Sequence, residues 1–271
     1  MRKAAFASAL VIGVIAALAL LAPAIAPFDP LEQHLENNYA RPSLEHPFGT
    51  DDLGRDVWSR LLFGARVSLG IAFASVGLAL VVGTGVGLLS AYYGGLADAA
   101  LMRLMDVLLA FPGILLGIAV VVVLGNGVEN TAIAVAVMST PTFARLVRGS
   151  ALSILERDHV VAARALGASA ARVIFGQVLP NALTPIVVAS TLQLGTAILI
   201  ASGLSFLGLG VQPPYPEWGA MLSKGRELVR STPVAAIAPG AFLTLLVLSF
   251  SLLGDGLRDF LDPRERARDV V

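Results

Sequence analysis

Five stretches of this 271-residue chain run for at least 22 residues without a charged side chain: 4–28, 67–97, 107–128, 173–216 and 231–254. A charge at the centre of a bilayer costs about 2.5–3.5 kcal/mol on insertion scales. A helix needs roughly 20 apolar residues, at about 1.5 Å each, to cross the hydrocarbon. Each run therefore predicts one crossing. The run 173–216 could cross twice by length, but Pro180, Pro185, Pro213, Pro214 and Pro216 crowd its ends, and one helix over about 182–204 is expected. A weaker sixth span is expected over 131–146, "TAIAVAVMSTPTFARL". There Pro141 is tolerable against neighbouring helices and Arg145 can reach the interface.

Composition agrees with lipid as the main solvent. Charged residues make up 14% of the chain, against about 25% in soluble domains, and mean hydropathy is +0.80. Nineteen basic and 19 acidic residues balance, so no basic surface points to nucleic acid. With no cysteine and three scattered histidines, His34, His46 and His159, neither a metal site nor a cofactor site is expected. A cleavable leader is the alternative reading of the first run, because "MRK" precedes it and "APAIA" offers small residues. The run is longer than the usual 7–15-residue apolar region of a leader, which favours a retained first helix.

Six spans put both termini on one side. With that side inside, the inner connections and ends carry twelve Lys and Arg residues and the outer ones carry seven: Arg41, Arg55, Arg60, Arg66, Lys224, Arg226 and Arg230. The excess predicts cytoplasmic termini. No acidic, basic or histidine side chain lies deep in a predicted span, so nothing points to a proton relay or a fixed ion site. Gln193 is the most polar mid-span side chain, better suited to an interhelical hydrogen bond than to a substrate. Gly83 and Gly87, four apart, suit close helix packing. A phosphate-gripping loop needs Lys before Ser or Thr; the only lysines are Lys3 and Lys224, and Gly225 follows the latter. The expectation is a passive membrane body driven by a partner.

One cytoplasmic segment stands out, "ERDHVVAARALGASAARVIFGQVLPN", residues 156–181. Residues 156–166 read as a short helix with Glu156 and Asp158 at its amino end, favourable for the helix dipole. Gly167 permits a turn, and 168–179 reads as a second helical stretch before Pro180. Ala162, Ala163 and Ala165 leave the first helix nearly bare. It is either an amphipathic connector at the interface or a docking helix over which a partner's groove closes, with His159 and Arg164 as polar contacts.

This segment resembles the "EAA" loop of permease subunits of bacterial ABC importers: Glu-Ala-Ala, three residues, Gly, then a hydrophobic pair before Pro. The matching positions are Val161, Ala162, Ala163, Gly167, Leu179 and Pro180, with Val161 in place of the glutamate. The chain is most similar to the C-type subunit of the oligopeptide, dipeptide and nickel permeases. The residues carrying this are "HPFGTDDLGRDVWSRLLFGARVSL" (46–69), "AYYGGLADAALMRLMDVLLAFPGILL" (91–116), "LSFLGLGVQPPYPEWGAML" (204–222) and "LLGDGLRDFLDPR" (252–264).

The resemblance implies an all-α membrane protein with six transmembrane helices in the type I ABC importer permease fold. It implies a first helix over 1–28, an extracytoplasmic loop over 29–66, a core over 67–257 holding a coupling loop at 148–181, and a cytoplasmic tail over 258–271. Coupling to the ATPases falls to Asp158, His159, Ala162, Ala163, Arg164, Gly167, Leu179 and Pro180, and Ala163→Trp is expected to uncouple transport. Asp51, Asp52, Arg55 and Asp56 read either as a solvated, self-paired charge cluster or as an extracytoplasmic surface facing a binding protein or the partner permease. The implied partners are a second permease subunit, two cytoplasmic ABC ATPases, an extracytoplasmic substrate-binding protein and membrane lipid, all at a bacterial inner membrane. Short peptides are the expected substrate; the alternative readings are nickel or another small solute as substrate, or a secondary carrier acting without an ATPase.

Overall fold

The computed structural model describes residues 2–229 and 232–261. Arg230 and most of the expected tail, including Arg264, Arg266 and Arg268, lie outside the described residues. The chain is helical: α1 (Arg2–Ile25), α2 (Val57–Tyr93), α3 (Gly95–Ala110), α4 (Gly113–Leu124), α5 (Val128–Leu155), α6 (Asp158–Ala165), α7 (Ala170–Val173), α8 (Leu179–Phe206), α9 (Trp218–Leu228) and α10 (Pro233–Leu261). A π-helical turn, Ile174–Val178, joins α7 to α8. No sheet occurs among the described residues, only an isolated bridge between Thr50 and Asp56.

Four helices, α1, α2, α8 with the turns before it, and α10, are long and apolar enough to cross a membrane. α3 and α4 form a fifth candidate, bent by 97°. Pro112 causes the break: it pushes the preceding residue toward extended backbone, and Phe111 sits at φ −79° and ψ 137°. α5 covers the weaker sixth span and is 28 residues long. Its two arginines are paired with acids of α3, Arg145 Nη2 lying 2.5 Å from Asp106 Oδ1 and Arg148 gripping Asp98. The six expected crossings thus correspond to six helical segments, of which four to five meet the length and apolarity of a span.

Between helices in lipid there is little hydrophobic driving force, so close packing must come from small side chains. α2 packs most extensively on α5, and the contact is set by glycine. A Cβ at Gly83 would lie 2.6 Å from Phe143 Cβ, and one at Gly87 would lie 2.6 Å from the Ala144 carbonyl oxygen. The pair therefore serves helix packing. Gln193 Nε2 donates to Ser139 Oγ at 2.8 Å, the interhelical bond expected for it. α10 packs on α8 and α1, and Ile15 and Ala19 of α1 join the main core with Val76, Phe143, Leu204 and Leu246.

α2 begins at Val57, well before the charge-free run at 67, because its first turns bury their charges in pairs. Asp56 caps the helix by accepting from the Ser59 backbone N–H at 2.7 Å, a contact of the usual N-cap kind. α9 is stapled to α2 and α8 by Glu217, which is fully buried. Its Oε1 accepts from Ser68 Oγ and Ser202 Oγ, both at 3.2 Å, and its Oε2 accepts from the Ala220 N–H at 2.9 Å. Trp218 Nε1 adds a bond to the Leu61 carbonyl at 3.0 Å.

Candidate functional site

A second, smaller apolar cluster lies at the end of the bundle that carries α6. Val160, Val173, Ile174, Val178, Ala182 and Ile186 meet Leu88, Val147, Ala151 and Ile154 there. α6 is attached to this cluster along one face. Val160 is fully buried, worth about 1.5 kcal/mol for a valine. One turn later the Arg164 guanidinium lies over the Tyr92 ring, 5.7 Å from its centroid. Residues four apart share a helix face, so buried Val160 and exposed Arg164 lie on the attached side, the guanidinium reaching Tyr92 at its rim.

The opposite face is free in this chain. Asp158, His159, Val161, Ala162 and Ala165 are exposed, and Ala163 is half-buried at the edge of the attached side. Leu166 is 89% exposed and Val161 is 52% exposed. Two large apolar side chains and two alanines thus share a surface ringed by Asp158 and His159. In the sequence pattern Val161 stands where a glutamate is expected, so this face presents an apolar group in place of an acid.

The end of α6 is fixed by backbone chemistry. The Gly167 N–H donates to the Arg164 carbonyl and the Ala168 N–H to the Ala163 carbonyl, both at 3.0 Å. This paired closure of a helix end needs a left-handed residue, which Gly167 supplies at φ +81°. Ser169 then caps α7 through the Arg172 N–H at 3.4 Å. Beyond the π turn, Leu179 is half-buried against the cluster and Pro180 is exposed in the first turn of α8. Pro180 has no N–H for the helical ladder, and the backbone ahead of it is the π turn, through which the helix runs on into α8.

Of the eight residues expected to couple, Asp158, His159, Ala162 and Ala163 lie on or beside the free face, Arg164 points back to Tyr92, and Gly167 shapes the turn. Leu179 and Pro180 belong to the junction with α8. Sequence reasoning missed Leu166, the most exposed apolar side chain of the segment, although a leucine directly before a helix-ending glycine signals it. Tyr92 carried no sequence signal, because its role depends on a helix that arrives 72 residues later.

The same end of the bundle holds an ionic clamp. Arg148 of α5 donates through Nε and Nη2 to the two carboxylate oxygens of Asp98, at 2.6 and 2.5 Å. Ser90 of α2 hydrogen-bonds the same carboxylate. Three helices are therefore tied together next to α6.

At the other end, Asp51, Arg55 and Asp56 are buried and Asp52 is half-buried. Asp51 Oδ2 accepts from Arg55 Nε at 2.7 Å and lies 3.4 Å from Arg60 Nε. Asp52 Oδ1 is 3.5 Å from Arg55 Nη2. Asp56 accepts from Ser59 and lies 3.0 Å from His46 Nδ1. The cluster is self-paired, and it is folded into the protein rather than bathed in water. Among the described residues no group of three or more His, Cys, Asp or Glu could hold a metal ion.

Comparison with known proteins gives this geometry its context. Residues 83–267 match the family described as binding-protein-dependent transport system inner membrane component, and residues 1–42 match the N-terminal transmembrane domain of oligopeptide transport permease C. The chain is 45% identical to the dipeptide transport system permease protein DppC of Alkalihalophilus pseudofirmus over 265 residues, 98% of this chain and 87% of that protein. It is 48% identical to the glutathione transport system permease protein GsiD of Escherichia coli over 261 residues, 96% of this chain and 86% of that protein. Among solved structures, the inward-facing MetNI methionine ABC transporter matches with a TM-score of 0.60 at 22% identity, covering 74% of this chain and 96% of that one. That likeness extends to the fold, the type I ABC importer permease fold. The chain therefore belongs to the binding-protein-dependent transport system inner membrane components, as a multi-pass permease subunit of an ABC importer whose ATP hydrolysis is carried out by separate subunits.

Proposed function

We propose that this chain forms half of a translocation pathway for short peptides in a bacterial inner membrane, paired with a second permease subunit and driven by two cytoplasmic ABC ATPases. An extracytoplasmic binding protein delivers the substrate, and both termini are cytoplasmic. The relatives named for dipeptide and glutathione transport support the peptide class. The observation that carries the coupling reading is the two-faced α6, held to its own bundle by Val160 and Arg164 while Val161, Ala162 and Leu166 are exposed. Closure of the ATPases on ATP binding pushes on that face. The push passes through the Val160 cluster and the Asp98–Arg148 clamp into α2, α5 and α8, and alternating access follows from the rigid-body movement. Asp51, Asp52, Arg55 and Asp56 act on the outer side by fixing the shape of the loop at 29–56, since their charges are largely satisfied among themselves.

The test is affinity purification of the tagged chain from its native membrane after mild extraction, with mass spectrometry of what accompanies it. Two ATPase subunits and a second permease are expected, and the ligand retained by a co-purifying binding protein identifies the substrate. Recovery of the chain alone, or only as a homo-oligomer, contradicts the reading.

A further inference from the structure

A cavity of about 150 Å³ opens between the first turn of α2, the α8–α9 connection and α9. Its lining carries three cationic side chains, Arg55, Arg60 and Lys224, and one carboxylate, Asp51. Asp51 is already shared between two guanidiniums, 2.7 Å from Arg55 Nε and 3.4 Å from Arg60 Nε. Arg60 is buried, and its Nη1 donates to the Pro30 carbonyl at 2.8 Å. Lys224 is exposed and has no ion-pair partner among the described residues. Asp52 Oδ1 lies 3.5 Å from Arg55 Nη2 as a charge contact without a hydrogen bond, and Asp56 faces His46 and Ser59. With Asp51 and Asp52 set against Arg55 and Arg60, the surplus is one positive charge, that of Lys224, in a part-enclosed space that Tyr215 and Ser223 also line. A cation facing a part-enclosed space attracts a carboxylate more strongly than it would in open water, and the ammonium of Lys224 is the one not already paired.

We infer that this cavity is a carboxylate subsite that receives the C-terminal carboxylate of an incoming peptide. This rests on the peptide-import reading above. The volume is ample for a terminal carboxylate. Such a site engages the one anionic group common to all unmodified peptides and ignores their side chains and length.

The experiment measures binding of dialanine and of dialanine amide to the assembled transporter in lipid nanodiscs, without the binding protein, by saturation-transfer NMR. Dialanine binds and its amide binds at least several-fold more weakly. Lys224→Gln, an exposed change that leaves the fold intact, weakens dialanine by roughly three- to tenfold and leaves the amide unchanged, and Lys224→Arg restores the difference. Equal affinity for acid and amide in the wild type overturns the inference, as does equal weakening of both by Lys224→Gln, or no binding of either. ATP-dependent peptide uptake into vesicles with the binding protein present is measured in parallel. If uptake is intact while dialanine and its amide are not distinguished, the subsite fails and the importer reading stands. If uptake is absent, the importer reading itself fails.

Discussion

Gly87 shows how a single missing side chain governs this molecule. The α2–α5 contact closes over it, and a Cβ there would meet the Ala144 carbonyl oxygen at 2.6 Å and the Arg148 nitrogen at 2.9 Å. Gly87→Val is expected to cost about 1–3 kcal/mol through overpacking, read as faster thermal inactivation in detergent. Gly85, with open space around its Cβ position, is the control at which the same change leaves packing undisturbed. On α6, Leu166→Asp places a charge on the face proposed to enter the ATPase. It is expected to lower ATP-dependent uptake at least tenfold while membrane insertion, followed by expression level, stays normal. Ala162→Trp acts on the same face. Ala163→Trp, at the edge of the attached side, disturbs α6 packing as well and separates the two effects less cleanly. The glycine pair was legible in the sequence because its four-residue spacing has a packing meaning. Leu166 was less so, because apolar residues are common here and only the fold shows which of them lack a neighbour.

Elements were legible to the extent that charge marks them. The apolar runs located α1, α8 and α10 well, since unpaired charges are excluded from lipid. They misplaced the start of α2, where Arg60 is buried against Asp51 and the Pro30 carbonyl, a compensation only visible once the loop is folded. α5 looked weak for the same reason, its two arginines being answered by acids on α3. The clamp between these helices yields a prediction of its own. Because Asp98 and Arg148 are partly exposed, their coupling is expected near 1 kcal/mol, measured by a double-mutant cycle on unfolding in detergent. Exchanging them (Asp98→Arg with Arg148→Asp) recovers part of what either single change loses if the pair acts as a clamp. α9 depends on a different device. Replacing Glu217 by Leu leaves two hydroxyls and the Ala220 N–H without their acceptor, a loss of about 1–3 kcal/mol, again read from thermal inactivation. Glu217→Gln retains an acceptor oxygen and loses less.

For the whole molecule, the sequence pattern of blocks along the chain carried the family, and the relatives and the fold agree with it. The end of the bundle that holds Asp51 was harder to read. Asp51, Asp52, Arg55 and Asp56 resemble a surface patch in sequence, yet burial turns most of their charge inward, and the cavity beside them is assembled from segments far apart in the chain. No sequence window contains it. At the opposite end the local pattern sufficed, because a short helix, its closing glycine and the following proline are encoded within 26 residues. The central claim is that this chain moves solute only when an ATPase acts on α6. Its most direct test is uptake of a labelled dipeptide into proteoliposomes holding both permease subunits and supplied with the binding protein, with and without the ATPase subunits. The account predicts ATP-dependent uptake only when the ATPases are present, and its loss in Leu166→Asp. Uptake at the same rate without the ATPases, or undiminished uptake in Leu166→Asp, contradicts it.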